Sequence, residues 1–320
     1  LFGAMTSAVM LYGFSLLYGF TGSTNLYEIG AQLSAGQLPA GLAVLTALLV
    51  TVGFAFKVSA APLHFWAPDV YEGAPTSVAG FLSTASKAAG FAVLLRVLLV
   101  VYPALSSLWT GLIAALAVAS MVVGNLQALN QKNIKRLLAY SSIAQAGTIL
   151  IGAAAQSDFG VTATMYYLMA YLVTNLAAFG VVMVVGRAVG SDEISAYAGL
   201  SRRSPGTALI LLAVLLSLGG IPPFAGFIGK LLVFGAAVEA NMAWLAVVGV
   251  VNSVAALYYY LRVLKVVYLD RAENETQPLN MTSAWKAALV GCVVLVVVLG
   301  VLVSPFYTWA SQAAASLIVY

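Results

Sequence analysis

The chain has 320 residues, of which 62% are hydrophobic and only 8% are charged. Soluble domains are about 45–50% apolar and about 25% charged, so the composition excludes an ordinary soluble protein. The formal net charge of +4 does not point to nucleic acid, because the basic residues follow the membrane topology described below. Apolar runs of about 20 residues, the length of a membrane-crossing helix, recur along the whole sequence. We therefore predict an all-α polytopic membrane protein.

Nine membrane spans are predicted from the apolar runs. Leu1 already lies inside the first run and is not an initiator methionine, so we expect further residues upstream. Two spans contain internal breaks, one at Pro62 and one at Gly219–Pro223. The predicted spans cover approximately residues 1–20, 41–71, 75–101, 107–128, 134–155, 160–187, 206–238, 242–268 and 284–304.

The distribution of Lys and Arg predicts the orientation of these spans. Cytoplasmic ends of membrane helices carry an excess of both residues. Alternate span ends here collect ten of the 14 basic residues, whereas the opposite ends hold only Arg96. The ten are Lys132, Lys135, Arg136, Arg187, Arg202, Arg203, Arg262, Lys265, Arg271 and Lys286. Their side is therefore expected to be cytoplasmic.

The two breaks indicate a transporter built from inverted repeats. Proline cannot donate to the helical hydrogen-bond ladder, and broken helices in corresponding halves mark binding sites in transporters. Pro62 and Pro223 are 161 residues apart, and the tetrapeptide LRVL recurs at 95–98 and 261–264, with an offset of 166. Because five spans separate the members of each pair, the second copy is expected to have the opposite orientation.

Three lysines, Lys57, Lys87 and Lys230, are predicted to lie inside the membrane. A lysine at the bilayer centre costs roughly 2.5–3.5 kcal/mol on insertion scales, and such residues usually mark ion pathways. Snorkelling and static ion pairing are the alternatives. A static pair needs a buried carboxylate, but all ten acidic residues are expected in loops or at span ends. We therefore predict a proton relay along the three amines.

Other polar residues of the spans have two possible roles. His64, just after the break, either relays a proton or bonds a freed carbonyl. The run Tyr140–Ser141–Ser142, with Gln145, either lines a water path or forms hydrogen bonds between helices, and the same alternatives hold for Thr174–Asn175. Cys292 is the only cysteine, and no Cys/His cluster or glycine-rich nucleotide loop is present, so we expect no cofactor in this chain.

Three stretches resemble the antiporter-like subunits of respiratory complex I, the proton-translocating NADH:quinone oxidoreductase. They are FKVSAAPLHFWAPDVYEGAPT (56–76) running into SKAAGFAVLLRV (86–97), NLQALNQKNIKRLLAYSSIAQAG (125–147) and LSLGGIPPFAGFIGK (216–230). The wording PDVYEGAPT resembles the bacterial subunit called N, and so does the lysine at position 230, where the M relative has a glutamate.

The resemblance implies a subunit of fourteen helices with two inverted five-helix repeats, of which the sixth to fourteenth helices are present here. Residues 1–103 would be the remainder of the first repeat, 104–269 the second repeat, and 270–320 the last helix and a tail. Lys57, Lys87 and Lys230 match the family's lysines on helices seven, eight and twelve. The family also has a glutamate on helix five that pairs with the Lys57 position, and this sequence lacks that helix.

The resemblance further implies that NADH, FMN, iron–sulfur clusters and quinone are bound by partner subunits. The chain would translocate protons, driven by quinone reduction elsewhere, in a multi-pass position in the bacterial inner membrane. Its partners would be a neighbouring antiporter-like subunit, small membrane subunits and lipid. Two alternatives are a subunit of a multi-subunit cation/proton antiporter and a non-pumping structural spacer of the membrane arm.

Overall fold

A computed structural model of the chain describes residues 1–271 and 281–318, which form fifteen α-helices, two short 3-10 helices and no β-strand. The 3-10 helices are Pro103–Leu105 and Ile194–Tyr197. In chain order the α-helices are α1 (Phe2–Thr21), α2 (Leu26–Ser34), α3 (Ala40–Lys57), α4 (Trp66–Gly73), α5 (Thr76–Ser83), α6 (Ala85–Val101), α7 (Ser106–Ala128), α8 (Ile134–Ala154), α9 (Asp158–Val189), α10 (Leu200–Arg203), α11 (Pro205–Gly219), α12 (Ala225–Glu239), α13 (Ala243–Tyr268), α14 (Ser283–Val301) and α15 (Val303–Ile318).

The predicted all-α membrane architecture is confirmed. Eight helical segments of the described residues are long and apolar enough to cross a membrane, and α11 followed by α12 accounts for the ninth predicted span. Helix α8 is the centre of the bundle, because nearly its whole length is buried by α4, α7, α9, α12 and α13. The polar residues of α8 are therefore in the interior of the protein, where they need partners from other helices.

Both predicted helix breaks are present. Residues 58–65 separate α3 from α4, and residues 220–224 separate α11 from α12. Polar groups freed at the first break find partners: the Trp66 indole donates to the Phe56 carbonyl at 2.9 Å, and Ser120 Oγ accepts from the Ala61 N–H at 2.8 Å. Because such partners replace water, irregular backbone is tolerated at this depth of a membrane protein.

A third break was not predicted. The span expected at 75–101 is divided at Thr84, which has φ −114° and ψ −89°. The hydroxyls of Ser83 and Thr84 both donate to the carbonyl of Gly80, at 2.8 Å each. Serine and threonine can hydrogen-bond their own backbone in this way and interrupt a helix without proline. The interruption places Lys87 in the first turn of α6.

Two helices lie outside the predicted spans. Helix α2 connects α1 to α3 and packs against α6, where Arg96 donates to the Tyr27 hydroxyl at 3.0 Å. Helix α15, in a segment expected to be a tail, packs against α6 and α9 and buries Ala310 and Ala314. Both are short for a span, which explains why a pattern of 20-residue apolar runs does not predict them.

Some of the basic residues cluster at the end of the bundle where α4 ends and α8 begins, which we call the basic end. Arg136 binds Asp69 at 2.8 Å and Glu72 at 2.7 Å, and this contact joins the start of α8 to the end of α4. Lys135 binds Asp192 at 3.0 Å, so the loop after α9 joins the same cluster. The acidic Glu273 and Glu275, expected in a loop, lie outside the described residues.

Candidate functional site

Lys87 is buried in the middle of the bundle, as predicted. Only 1% of the residue is exposed, and its amine donates to Ser142 Oγ at 2.7 Å and to the Ser142 carbonyl at 3.1 Å. Ser142 lies on the central helix α8, with the hydroxyls of Tyr71 and Tyr171 nearby, although neither forms a hydrogen bond with it. The amine therefore faces a cluster of hydroxyl groups, which can donate and accept a proton.

Lys230 is buried at the second break, also as predicted. Its amine donates to the carbonyls of Leu218 and Gly219, at 3.0 and 3.1 Å. These carbonyls are at the C-terminal end of α11, where the helix dipole carries partial negative charge that favours a cation. Gly220 follows with φ +85°, and a Cβ there would lie 2.8 Å from Lys230 Cδ. Glycine is therefore required at position 220, because a side chain would be strained at this φ and would collide with Lys230.

Hydrogen-bonded side chains on and around α8 lie between the two buried lysines. Ser141, beside the partner of Lys87, bonds the Tyr260 hydroxyl of α13. Gln145, one turn further along α8, donates to that hydroxyl at 3.4 Å and to the Leu218 carbonyl at 2.8 Å. The Tyr167 hydroxyl of α9 donates to the Gln145 side-chain oxygen. We call Ser141, Ser142, Gln145, Tyr167 and Tyr260 the polar connection.

Among the described residues, no static ion pair accounts for the buried Lys87 and Lys230. In the part of the chain that the structure describes, neither Lys87 nor Lys230 has a carboxylate within salt-bridge distance, and their recorded partners are hydroxyl and carbonyl oxygens. Within the same residues, no group of three His, Cys, Asp or Glu side chains is placed to hold a metal ion. Amines and hydroxyls can donate and accept protons, and the Gln145 amide can hold its neighbours in place by hydrogen bonds.

The prediction that Lys57 is buried is wrong for the described chain. Lys57 ends α3 and is exposed, and no described residue pairs with its amine. Its aliphatic stem packs against α6, where a Cβ on Gly90 would lie 3.0 Å from Lys57 Cγ. Helices α1 and α6 pack against α3, and the Lys57 residue nevertheless stays exposed. Gly90 is three residues after Lys87, so Lys57 borders the face of α6 that carries Lys87.

His64 lies within the first break and is buried, with 6% of the residue exposed. Its ring stacks on Phe65, with 4.6 Å between the ring centroids, and it faces the backbone carbonyl of Pro62. Nδ1 finds no hydrogen-bond partner among the described residues, and neither do Ser59 Oγ in the break and the Tyr71 hydroxyl on α4. Buried polar groups without protein partners usually bind water, so we expect water at this break.

A polar branch leads from Lys87 towards the basic end. Asn175 on α9 donates to Ser83 Oγ at 2.7 Å and to the Tyr171 hydroxyl at 3.1 Å, and this hydroxyl lies next to the Lys87 partner Ser142. Closer to the basic end, α5 and the end of α9 enclose a cavity of about 400 Å³ that includes Ser77 and Asp192 in its walls. Of the two roles considered for Thr174–Asn175, hydrogen bonding between helices is present, since Asn175 bonds Ser83 and Thr174 Oγ1 lies 3.2 Å from Ser217 Oγ.

Sequence reasoning did not identify the tyrosines of the site. Tyr167, Tyr171 and Tyr260 lie in apolar helices, where a tyrosine is as typical of core packing as of function. Their spacing alone would have indicated a shared face on α9, since Tyr167 and Tyr171 are four residues apart. Tyr140, which was singled out, contacts Arg136 instead, with the guanidinium 5.9 Å from the ring centroid.

Broken membrane helices around buried lysines define this chain as an antiporter-like membrane protein. The chain belongs to the family described as "NADH:quinone oxidoreductase/Mrp antiporter, TM", which it matches over residues 1–256. The expectation of this family from the three sequence stretches is confirmed.

The relatives include proteins named NADH-quinone oxidoreductase subunit N. That of Moorella thermoacetica is 48% identical over 317 residues, covering 99% of this chain and 66% of the relative. That of Heliobacterium modesticaldum is 46% identical, again over 99% of this chain and 66% of the relative. The chain thus spans slightly less than two thirds of the length of these proteins.

Solved structures share the fold. A chain of respiratory complex I from Thermus thermophilus with bound aureothin is 38% identical and has a TM-score of 0.81, over 96% of this chain and 66% of that one. A chain of the archaeal membrane-bound sulfane sulfur reductase is 30% identical with a TM-score of 0.90, over 99% and 64%. A chain of the Mrp complex from Dietzia, at 23% identity, shares the fold with a TM-score of 0.88.

Proposed function

We propose that this chain translocates protons across the bacterial inner membrane as part of an NADH:quinone oxidoreductase, through Lys57, Lys87 and Lys230. The observation that carries the proposal is the polar connection, whose hydrogen bonds run from Ser141, the sequence neighbour of the Lys87 partner Ser142, to the Leu218 carbonyl that Lys230 also bonds. An amine at each end stores a proton, and the hydroxyls and amide between them supply acceptors and donors with the help of water. The relatives named subunit N support the assignment to this complex.

The proton enters from the basic end in this proposal. Water would carry it from the cavity beside α5 and α9 to Ser83, Asn175 and Tyr171, which bond one another, and from there to Ser142 and Lys87. From Lys87 the proton passes along the polar connection to Lys230. Helix α12 then continues from Lys230 to the opposite end of the bundle, where release occurs. Movement of each charge against 100 mV requires about 2.3 kcal/mol, which redox chemistry in partner subunits would supply.

Lys57 and His64 act at the first break in this proposal. Lys57 borders the α6 face of Lys87 and is open to a partner from outside the described residues. The orphaned polar atoms of Ser59, His64 and Tyr71 support a hydrated space beside it. A charge that approaches or leaves Lys57 would change how readily Lys87 holds its proton, since neighbouring charges shift the protonation of buried lysines. The repeats proposed at 1–103 and 104–269 place one such break in each half.

A second candidate is a subunit of a multi-subunit cation/proton antiporter. The family description, which includes Mrp antiporters, is the observation that favours it. Identity favours the first proposal, since the subunit N relative is 48% identical and the Mrp chain 23%. Purification of the protein with its natural partners separates the two: iron–sulfur and flavin subunits would support the first, and small antiporter subunits without them would contradict it.

The direct test compares Lys87→Met and Lys230→Met with the native protein in proteoliposomes of the whole complex. Both variants should oxidise NADH and translocate fewer protons per electron. Lys265→Met is the matched control, because Lys265 is an exposed lysine of the basic end. An unchanged proton yield in both assembled variants would refute the relay and favour the non-pumping spacer.

A further inference from the structure

A groove between α11 and α14, away from the lysines of the relay, opens at the basic end. Its volume is about 550 Å³. Arg203 and Ser204, just before α11, and Lys286, in the first turn of α14, line the end that we call its mouth, and Thr207 is one turn further along α11. Deeper walls are formed by Leu209, Ile210, Val290, Val293 and Val294. The groove is thus polar at one end and apolar along the rest of its length.

The apolar wall lies on the outer surface of the bundle. Leu209 is 62% exposed, and Val290 and Val294 are each 52% exposed, although all three are large aliphatic residues. They belong to α11 and α14, whose composition suits the interior of a membrane. Exposed aliphatic side chains on such helices face hydrocarbon rather than water. The occupant of the groove must therefore present an apolar chain to this wall.

The order of polarity along α14 matches the order along a phospholipid. Lys286, Val290 and Val293 share one face of the helix, since they are separated by four and three residues. At about 1.5 Å per residue, Val293 lies roughly 10 Å deeper than Lys286. Trp285 stands beside the lysine at the level where indole rings anchor helices to the membrane interface. The cations of the mouth are therefore at headgroup depth and the valines at acyl-chain depth.

The charge of the mouth selects the headgroup. Its lining contains two cations, Arg203 and Lys286, and none of the described lining residues is acidic. A guanidinium offers five N–H donors in a planar fork that fits phosphate. Arg203 can therefore donate to a lipid phosphate while it keeps its contacts within the protein. The usual excess of Lys and Arg at the cytoplasmic ends of membrane helices explains why basic residues occur at this end. It does not explain why two of them flank the mouth of an apolar groove.

We propose that an anionic phospholipid binds in this groove. Its phosphate lies between Arg203 and Lys286, and one acyl chain runs along the wall of α11 and α14. Basic pockets between membrane helices on the cytoplasmic side are suited to anionic headgroups in this way. The bound lipid would cover the seam between the second broken helix and α14.

The test measures lipids retained by the assembled complex. The complex is reconstituted in vesicles of equal phosphatidylglycerol and phosphatidylcholine, re-extracted in mild detergent, and analysed by native mass spectrometry of the released subunit. The double variant Arg203→Gln/Lys286→Gln should carry at least fivefold less bound phosphatidylglycerol, and Leu209→Trp, which fills the groove without altering charge, should do the same. Lys265→Gln, an exposed lysine of the basic end outside the groove, should retain the native amount.

Three results would overturn the proposal. One is native retention of phosphatidylglycerol by both the charge variant and Leu209→Trp. Another is an equal loss of phosphatidylcholine, which would mean that the headgroup charge is not recognised. The third comes from benzoylphenylalanine placed at position 290 in intact membranes: photocrosslinking to a polypeptide instead of a lipid would show that a partner chain covers the groove.

Discussion

Lys230 and Gln145 donate to the same acceptor, the carbonyl oxygen of Leu218, at 3.0 and 2.8 Å. Helix α11 can present this carbonyl because it ends at Gly219. An uninterrupted helix would have bonded the carbonyl to its own backbone. The break thus creates the point at which a buried lysine of α12 and a buried amide of α8 meet.

Replacement of Gln145 with leucine should uncouple the two lysines. Leucine has a similar volume and cannot bond Tyr260, Tyr167 or the Leu218 carbonyl. We expect proton translocation per electron to fall several-fold while the complex still assembles. The measurement is fluorescence quenching of a pH-gradient dye in vesicles, divided by the rate of NADH oxidation. Gln127→Leu, on the exposed side of α7, is the control and should pump normally; normal pumping by Gln145→Leu would exclude the amide from the path.

Tyr260→Phe tests the hydroxyl alone. Its ring, packed against Tyr259 with 4.5 Å between centroids, should stay in place. Loss of the bond with Ser141 should destabilise the protein by about 1 kcal/mol and slow proton transfer. The control is Tyr258→Phe, two residues away on the same helix and 64% exposed. If the two variants pump equally well, the Tyr260 hydroxyl serves packing only.

Gly220→Ala should be destabilising. A residue with a side chain is strained at φ +85°, which costs about 1–3 kcal/mol, and the new Cβ would displace Lys230. The midpoint of thermal unfolding of the purified complex should fall. Gly111→Ala is the matched control, because a Cβ at Gly111 meets nothing within 4 Å. Equal midpoints for the two variants would show that the turn tolerates a side chain and that its contact with Lys230 is loose.

The ion pairs of the basic end should differ in importance. Lys135 is buried, binds Asp192 at 3.0 Å and donates to the Ala74 carbonyl at 3.2 Å, so Lys135→Met should cost about 1.5–3 kcal/mol. The lysine of the Lys265–Asp270 pair is 64% exposed and 3.6 Å from its partner, so Lys265→Met should cost less than about 1 kcal/mol. Thermal unfolding in detergent compares the two variants. A larger loss for Lys265→Met would contradict this order.

Proline and glycine residues that interrupt helices made much of the fold predictable. Pro62 and the run Gly219–Pro223 interrupt apolar segments of the sequence, and both breaks lie where they were expected. The break at Thr84 was not predictable in this way, because it depends on hydroxyls that bond the Gly80 carbonyl and not on a residue that helices exclude.

The site was predictable in its charges and not in its connections. Lys87 and Lys230 are conspicuous because a cation in an apolar run is costly wherever it lies. Tyr260 is not conspicuous, because its role depends on α13 packing beside α8, which is information of tertiary structure. The exposure of Lys57 depends likewise on which helices pack against α3. The sequence of α3 alone does not predict those contacts.

The most direct test of the central claim, that protons pass Lys87 and Lys230 on one path, is the proton-to-electron ratio of three variants. These are Lys87→Met, Lys230→Met and the double variant, each measured in vesicles of the assembled complex. Because the lysines act in series, each single variant should lower the ratio and the double variant should lower it no further than the more severe single one. A native ratio in the double variant would contradict the claim outright, and two losses that add would place the lysines on separate paths.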